Sequence, residues 1–283
     1  MTAIQTLIRE IKNLTPVPAV VQPLLEAVDR PDVDIGEIAC IIQYDPALTA
    51  SVLRTSNSAF FGLKQPAETI KDAVSLLGTD QIIDLVLVKS GARALSGRQQ
   101  GYDLQEGAMW KYSVSSAIIA RQMAEEIGIP HKHTIYTAAL LKDIGKTVLD
   151  RFVKDAFGKI STLVVEENYS FMEAEKKVIG VDHAELGGMI AKMWKFSPRM
   201  VNIIRNHHRP CCDIVRQNKD VAVVYLADCI CMMMGMGVGA DGLAYRFHQE
   251  AMDAIDITAE TLSRIIADFA CRIQEVEDFL KVV

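Results

Sequence analysis

Five side chains with metal-ligand chemistry are spread over four helical segments in the second half of the chain: Asp143, His183, the adjacent His207 and His208, and Asp228. Carboxylate and imidazole are the donors that hold divalent zinc, iron or manganese. Helix bundles build such centres from inward side chains of facing helices, so ligands scattered along a sequence can converge. Asp228 is the sharpest of the five. It lies inside VAVVYLADCICMMMG, and an unpaired buried carboxylate is costly, so a cation or strong donor must stand opposite it. Each group also has a plain structural reading. Asp228 can pair with a lysine or cap a neighbouring helix, and His183 can be no more than the neighbour of a helix cap. His207 and His208 end a helix, where imidazole is favourable against the helix dipole. A softer site, HHRPCC (207–212) with Cys229 and Cys231, is disfavoured because adjacent cysteines are not the usual zinc spacing. Lys142 and Lys146, in LKDIGK, are point charges that can meet an anion such as phosphate.

The elements that must position these groups are helical. Asp34-Ile-Gly-Glu37 has a capping-box pattern, Asp45-Pro46 supplies a cap and a first-turn proline, and Thr69-Ile-Lys-Asp72 opens a helix that Gly78 closes. Further helices are expected near 133–142, 147–166, 170–179, 183–194, 198–208, 217–234, 259–269 and 271–281. A longer segment between Leu104 and Gly128 is also read as helical. No alternating strand pattern or hairpin dipeptide appears. The chain is therefore all-α. SGRQQGYD (96–103) is the linker that divides it into an N-terminal helical lobe, 1–97, and a second helical lobe, 104–283, which carries the ligand set.

Composition excludes several classes. A net charge of −6 leaves no basic face for nucleic acid or an anionic membrane. Ile4, Leu7, Ile8 and Ile11 are at helical spacing, which reads as an amphipathic helix rather than a signal peptide. The apolar stretch 221–240 resembles a membrane span, but Asp228 within it and Gly235, Gly237 and Gly239 at its end favour a core helix. The six cysteines show no secreted framework, so reduced thiols in a cytoplasmic protein are expected.

Residues 14–62, with DPALTASVLRTSNSAFFG at their end, resemble the N-terminal part of HDOD domains, the HD-related output domains of bacterial signalling proteins. TIKDAVSLLGTDQIIDLVL, WKYSVSSAIIARQMAE, AALLKDIGKTVL, DHAELGGMIAKMWKFS and IIRNHH continue the likeness in order over about 14–208, and LADCI (226–230) is similar to the last aspartate helix of HD proteins. The resemblance implies an all-helical fold, its N-terminal lobe packed on an HD-like bundle. The fold is related to metal-dependent HD phosphohydrolases and to HD-GYP enzymes that cleave cyclic di-GMP. Those enzymes use a first histidine, a His-Asp pair, later histidines and a final aspartate. Carried over, the first histidine falls on Tyr112 and the pair on Lys142 and Asp143. His183, His207, His208 and Asp228 match the later positions.

Two ligand positions are thus changed. Tyrosine ligates a divalent ion poorly while protonated, and a lysine ammonium offers donors only. Lys142 is expected to neutralise Asp143 and Asp228 as a fixed cation. The implied function is a noncatalytic signalling or regulatory module that acts on protein partners, with no cofactor and no stoichiometric metal. A metal-dependent phosphohydrolase acting on a nucleotide or cyclic dinucleotide is the alternative, with metal on Asp143, His183, His207, His208 and Asp228. A noncatalytic sensor binding a small anion near Lys142 or Lys146 is the third. Leu48, Val52, Leu53 and Phe60 are expected in the core. Arg54, Asn57 and Ser58 are the polar exceptions, assigned to the joint between the lobes and a partner-binding surface.

Overall fold

A computed structural model describes residues 7, 9–11, 14, 18–30, 32–237, 239–244 and 247–282. Among these residues sixteen α-helices and one short 3-10 segment form, and no strand; Gln99 and Leu104 make a single isolated bridge. The chain folds as two compact units. One comprises α1 (Val21–Val28), α2 (Ile35–Gln43), α3 (Pro46–Ser56), α4 (Ile70–Leu77), most of α5 (Thr79–Leu95) and the last helix, α16 (Ile273–Val282). The other comprises α6 (Ala108–Glu126), α7 (Lys132–Leu141), α8 (Ile144–Glu166), α9 (Phe171–Ile179), α10 (His183–Met193), α11 (Pro198–Asn206), α12 (Cys212–Gln217), α13 (Lys219–Met233), α14 (Gln249–Ile255) and most of α15 (Ala259–Cys271). The expected second lobe ran to residue 283. Instead α16 joins the first unit, where Thr55 Oγ1 donates to Val282 O at 3.3 Å and Phe279 packs on Phe60. Its amphipathic pattern announces a buried face without saying which unit supplies the cover.

The predicted helix starts are made by the predicted atoms. Asp34, Asp45 and Asp182 accept from the backbone N–H three residues on, and Thr69 with Asp72 forms a reciprocal capping box. The long helix begins at Ala108 rather than near Leu104. Gly107 precedes it at φ 78°, a left-handed conformation that suits glycine and breaks the helical run. The expected 217–234 helix forms as α13, capped by Asn218, and the short helix before it, α12, was not anticipated. Helix α14 and the 3-10 turn Ala240–Ala244 were not anticipated. The expected N-terminal amphipathic helix lies largely outside the described residues. No helix among the described residues is long and apolar enough to cross a membrane.

In α3, Leu48 and Val52 are buried as expected, but Leu53 is half-buried and Phe60 is 39% exposed, edge-on to Phe61. Thr55 and Ser56 take the buried face instead. Asn57 orders the turn that follows: its Nδ2 donates to Ala67 O at 2.9 Å and its Oδ1 accepts from Ala67 N at 2.8 Å. Its side chain leaves the carbonyls of the helix end alone, and its backbone N–H donates to Leu53 O at 3.0 Å. Arg54 is exposed and Ser58 half-buried.

In the second unit, α6, α7 and α13 pack on one another, and α10 packs against both α8 and α11. Gly145 opens the way for one of these contacts. A Cβ there would lie 2.0 Å from His183 O and 2.9 Å from Gly187 N, so only glycine lets the start of α8 meet the start of α10. Gly145→Ala should therefore cost about 1–3 kcal/mol through overpacking, seen as a lower unfolding midpoint in urea with an unchanged slope.

Candidate functional site

Asp143 forms the corner between α7 and α8. It stands at the N-cap position of α8, yet its side chain caps nothing. The carboxylate turns inward and is 1% exposed. Its Oδ2 accepts from Lys142 Nζ at 2.5 Å, and Lys142 Nζ also lies 2.9 Å from Asp228 Oδ1. Tyr112, on α6, donates its hydroxyl to the same Asp228 oxygen at 2.6 Å, and the ammonium sits 4.2 Å from its ring centre. The ion pairs expected from Lys142 are thus present, in a region where Lys142 itself has no exposed surface.

The other oxygen of Asp143 faces a different set. Oδ1 lies 2.8 Å from Lys146 Nζ and 3.8 Å from the Nε2 atoms of both His183 and His207. Lys146 also bonds Asp241 Oδ2 at 2.7 Å. His183 Nδ1–H donates to Glu175 Oε2 at 2.7 Å, and its backbone N–H reaches the same oxygen at 3.0 Å. Glu175 is held in turn by the Tyr102 hydroxyl at 2.6 Å. His207 Nδ1–H donates to Ile204 O at 2.7 Å, which leaves its Nε2 lone pair buried and without a hydrogen-bond partner. His208 Nε2 lies 3.0 Å from His183 Nε2, so one of these two nitrogens carries the proton between them.

The charges follow from burial and these neighbours. For Lys142, burial disfavours the ammonium, but Asp143 and Asp228 outweigh it and hold the pKa above the usual lysine value. Burial likewise works against Asp143, and Lys142 and Lys146 overcome it, leaving its pKa well below the carboxylate range. Asp228 is raised by burial and by Asp143, only partly offset by Lys142. Burial lowers His207 to about 3 and holds His208 well below the usual imidazole value, so both rings are neutral. His183 differs: burial opposes its charge, but Glu175 prevails and raises it. Tyr112 and Tyr102 are pushed up by burial and stay protonated donors.

The seven positions singled out in sequence therefore meet in one unit, as two groups that share Asp143 and also approach each other where His208 Nδ1 lies 3.8 Å from Asp228 Oδ2. Tyr112, Lys142 and Asp228 gather on the Oδ2 side. His183, His207 and His208 gather on the Oδ1 side, where one ligand atom from each, with one from Asp143, lies within 4.8 Å of the others. A metal does not fit the first group, because the Lys142 ammonium stands between the carboxylates. It does fit the second: the orphaned His207 Nε2 points into it, and His183 has the carboxylate partner that commonly orients a ligating imidazole. No cysteine belongs to the second group among the described residues. Lys142 and Lys146 both face carboxylates and are buried, so neither is presented to an incoming anion as expected.

Sequence reasoning missed Glu175, Tyr102 and Asp241. A wholly buried glutamate on α9 leaves little trace among the neighbouring charges of FMEAEKK, and Tyr102 lies in the stretch read as a linker. A cavity of about 410 Å³ opens beside the histidines, lined among others by His183, His208, Phe171, Tyr225, Asp241 and His248.

The all-helical fold and this Asp-His arrangement define an HD-related domain. The HDOD domain profile matches residues 14–210, and the chain belongs to the HDOD family. An HDOD domain protein of unknown function from Geobacter sulfurreducens is 27% identical, with a TM-score of 0.72 over 98% of this chain and 96% of its own. A Marinobacter aquaeolei VT8 protein, whose description proposes a role in signal transduction, gives 0.76 at 20% identity, over 99% of this chain and 65% of its own. A Shewanella amazonensis SB2B protein, whose description proposes a phosphohydrolase, gives 0.67 at 24% identity, over 98% of both chains. An uncharacterized Treponema pallidum (strain Nichols) protein is 25% identical over 70% of this chain, and the match spans only 38% of that relative's length.

Removing the Lys142 charge while keeping its stem tests the first group. Lys142→Met leaves buried Asp228 with no cation and Asp143 with Lys146 alone, and should cost about 3–5 kcal/mol at pH 8. The freed Asp228 then takes a proton more readily in the folded than in the unfolded chain, so the deficit shrinks as pH falls toward 5. Urea unfolding of both proteins at the two pH values measures this, and a deficit independent of pH contradicts it.

Proposed function

We propose that this HDOD chain is a noncatalytic regulatory module of bacterial signalling that acts by binding other proteins in the cytoplasm. The observation that carries the reading is Lys142 Nζ, 2.5 Å from Asp143 and 2.9 Å from Asp228. Metal-assisted hydrolysis needs cations free to acidify water and to meet phosphate oxygens. Here one cation is a side chain that can do neither while both carboxylates hold it. Tyr112 spends its hydroxyl on Asp228, and Lys146 is tied between Asp143 and Asp241. A metal held by Asp143, His183, His207 and His208 would supply Lewis acidity at one side of Asp143 only. The chain's own groups then hold protons rather than move them: Tyr112 and Tyr102 remain donors, and His207 remains neutral.

A metal-dependent phosphohydrolase is the second reading. The aspartate and three histidines beside the cavity favour it. The proposed roles of the Marinobacter and Shewanella proteins point in opposite directions, and their low identity speaks to fold alone.

We assign the partner surface to Arg54, Asn57 and Ser58 at the end of α3, and the turn that Asn57 pins to Ala67 supports it. The experiment is affinity capture from source-cell extract with wild type and Asn57→Ala, each checked for native circular dichroism. It runs beside hydrolysis assays on cyclic di-GMP and a generic phosphodiester with manganese or iron added. A captured protein whose affinity drops about tenfold in Asn57→Ala, equal to about 1.4 kcal/mol, with no turnover by either, supports the reading. Turnover abolished by Asp143→Ala, with no partner captured, reverses it.

A further inference from the structure

We propose that the solvent face of α10, bordered by Lys195 and Arg205, docks an acidic amphipathic helix of a partner protein. The proposal rests on the protein-binding reading and gives it a further surface, in the second unit.

The apolar part of the surface comes from what packing leaves over. Contacts with α8 and α11 bury most of α10. What remains is one stripe, Glu185, Met189, Lys192 and Met193, whose spacings of three and four put them on a single face. Met189 is 47% exposed and Met193 42%. One exposed apolar side chain needs no explanation. Here the solvent-facing stripe of an otherwise packed helix carries two, a turn apart. Methionine is unbranched and polarisable, so it moulds to an apolar partner that it does not meet permanently.

The charged part is local. Residues 186–212 hold five lysines and arginines and no aspartate or glutamate, in a chain of net charge −6. The overall charge argues against a basic face and conceals this one. Arg199 is paired with Asp220, and Arg209 with Asp182. Lys192, Lys195 and Arg205 are exposed and form no ion pair among the described residues. Arg205 is held at the edge of the stripe. A Cβ on Gly188 would lie 2.8 Å from Arg205 Cβ and 3.2 Å from its Cγ, so the arginine stem crosses α10 one turn before Lys192. Lys195 stands in the turn that follows the helix. The acid of the stripe, Glu185, is already taken by Lys176 and, at 3.6 Å, by Arg209.

An apolar pair bordered by unpaired cations is complementary to a helix with apolar residues at i and i+4 and carboxylates beside them. A phosphate backbone would engage the cations and leave both methionines idle. An anionic membrane would gain little from two methionines on a stripe that carries no aromatic.

The test selects helix-forming peptides of about 15 residues from a displayed library on the full chain. Recovered peptides are expected to carry Asp or Glu beside an apolar i, i+4 pair. Their affinity should fall about tenfold in Lys192→Glu/Arg205→Glu and in Met189→Ser/Met193→Ser, and should weaken as salt is raised. The substituted side chains are exposed, and circular dichroism checks that each variant keeps the native fold. Peptides remade with lysine in place of each acid should bind Lys192→Glu/Arg205→Glu and not wild type. No enriched peptide, enriched peptides without acids, or an affinity unchanged in either folded variant overturns the proposal. So does tighter binding of duplex DNA or of anionic phospholipid vesicles that Lys192→Glu/Arg205→Glu abolishes. A wild-type dimer in sedimentation that this variant dissociates also overturns it, because a second copy then covers the face. Peptide binding lost in Asn57→Ala and kept in both variants overturns this surface and leaves the protein-binding reading standing. Turnover that depends on Asp143 bears on the noncatalytic reading alone.

Discussion

The carboxylate of Asp143 is the point on which the rest of this unit depends. It is buried at the corner between two helices, where its ordinary role would be to cap the second of them. A buried carboxylate without partners costs several kcal/mol, so its two oxygens dictate what may surround it. One oxygen fixes Lys142, and through Lys142 the aspartate of α13 and the tyrosine of α6. The other fixes Lys146 and faces the histidines of α10 and the turn after α11. Helices distant in sequence are thereby set in one register by electrostatic demand, over and above their apolar packing.

That demand works only because the backbone allows close approach. Gly145 lets α8 meet α10, which places His183 beside Asp143 rather than a side chain's width away. Glu175 then binds both the ring and the backbone N–H of His183, tying α9 to the start of α10. Tyr102 anchors Glu175 from the irregular stretch between α5 and α6. The stretch read as a linker is therefore also a support for the site. Its polarity comes from exposed neighbours such as Gln100 and Asp103, while Tyr102 itself is fully buried.

Most helices were legible because caps and breakers are local: Asp34, Asp45, Thr69 and Asp182 act within three residues of themselves. The candidate ligands were legible too, since a carboxylate inside an apolar run has few uses. What sequence could not show is how those ligands divide. Lys142 and Tyr112 argue against metal if all seven positions form one shell, but that argument loses force once Asp143 proves to have two sides. The division depends on which carboxylate oxygen faces which helix, a property of tertiary packing. Leu53 and Phe60 teach the same lesson on a smaller scale. Their hydrophobicity suggested core, yet Thr55 and Ser56 occupy the buried face of α3. Helical spacing gave the stripe, but not which side of the helix the rest of the fold would cover.

The network also explains how such a site can persist without depending on turnover. A buried ion pair can often be exchanged for apolar residues at little cost, but only when both partners change together. Here no pair is separable. Loss of Lys142 leaves Asp228 with no cation and Asp143 with Lys146 alone, whereas loss of Asp143 leaves Lys142 with Asp228 alone and Lys146 with Asp241 alone. Loss of Glu175 frees His183 and leaves the hydroxyl of Tyr102 unpaired in a fully buried position. Every single step toward a neutral core removes a partner from at least one other buried charge or donor. The polar cluster is thus retained by the mutual dependence of its members, whether or not any substrate is turned over, and Lys142 is stable there because two buried carboxylates require a cation.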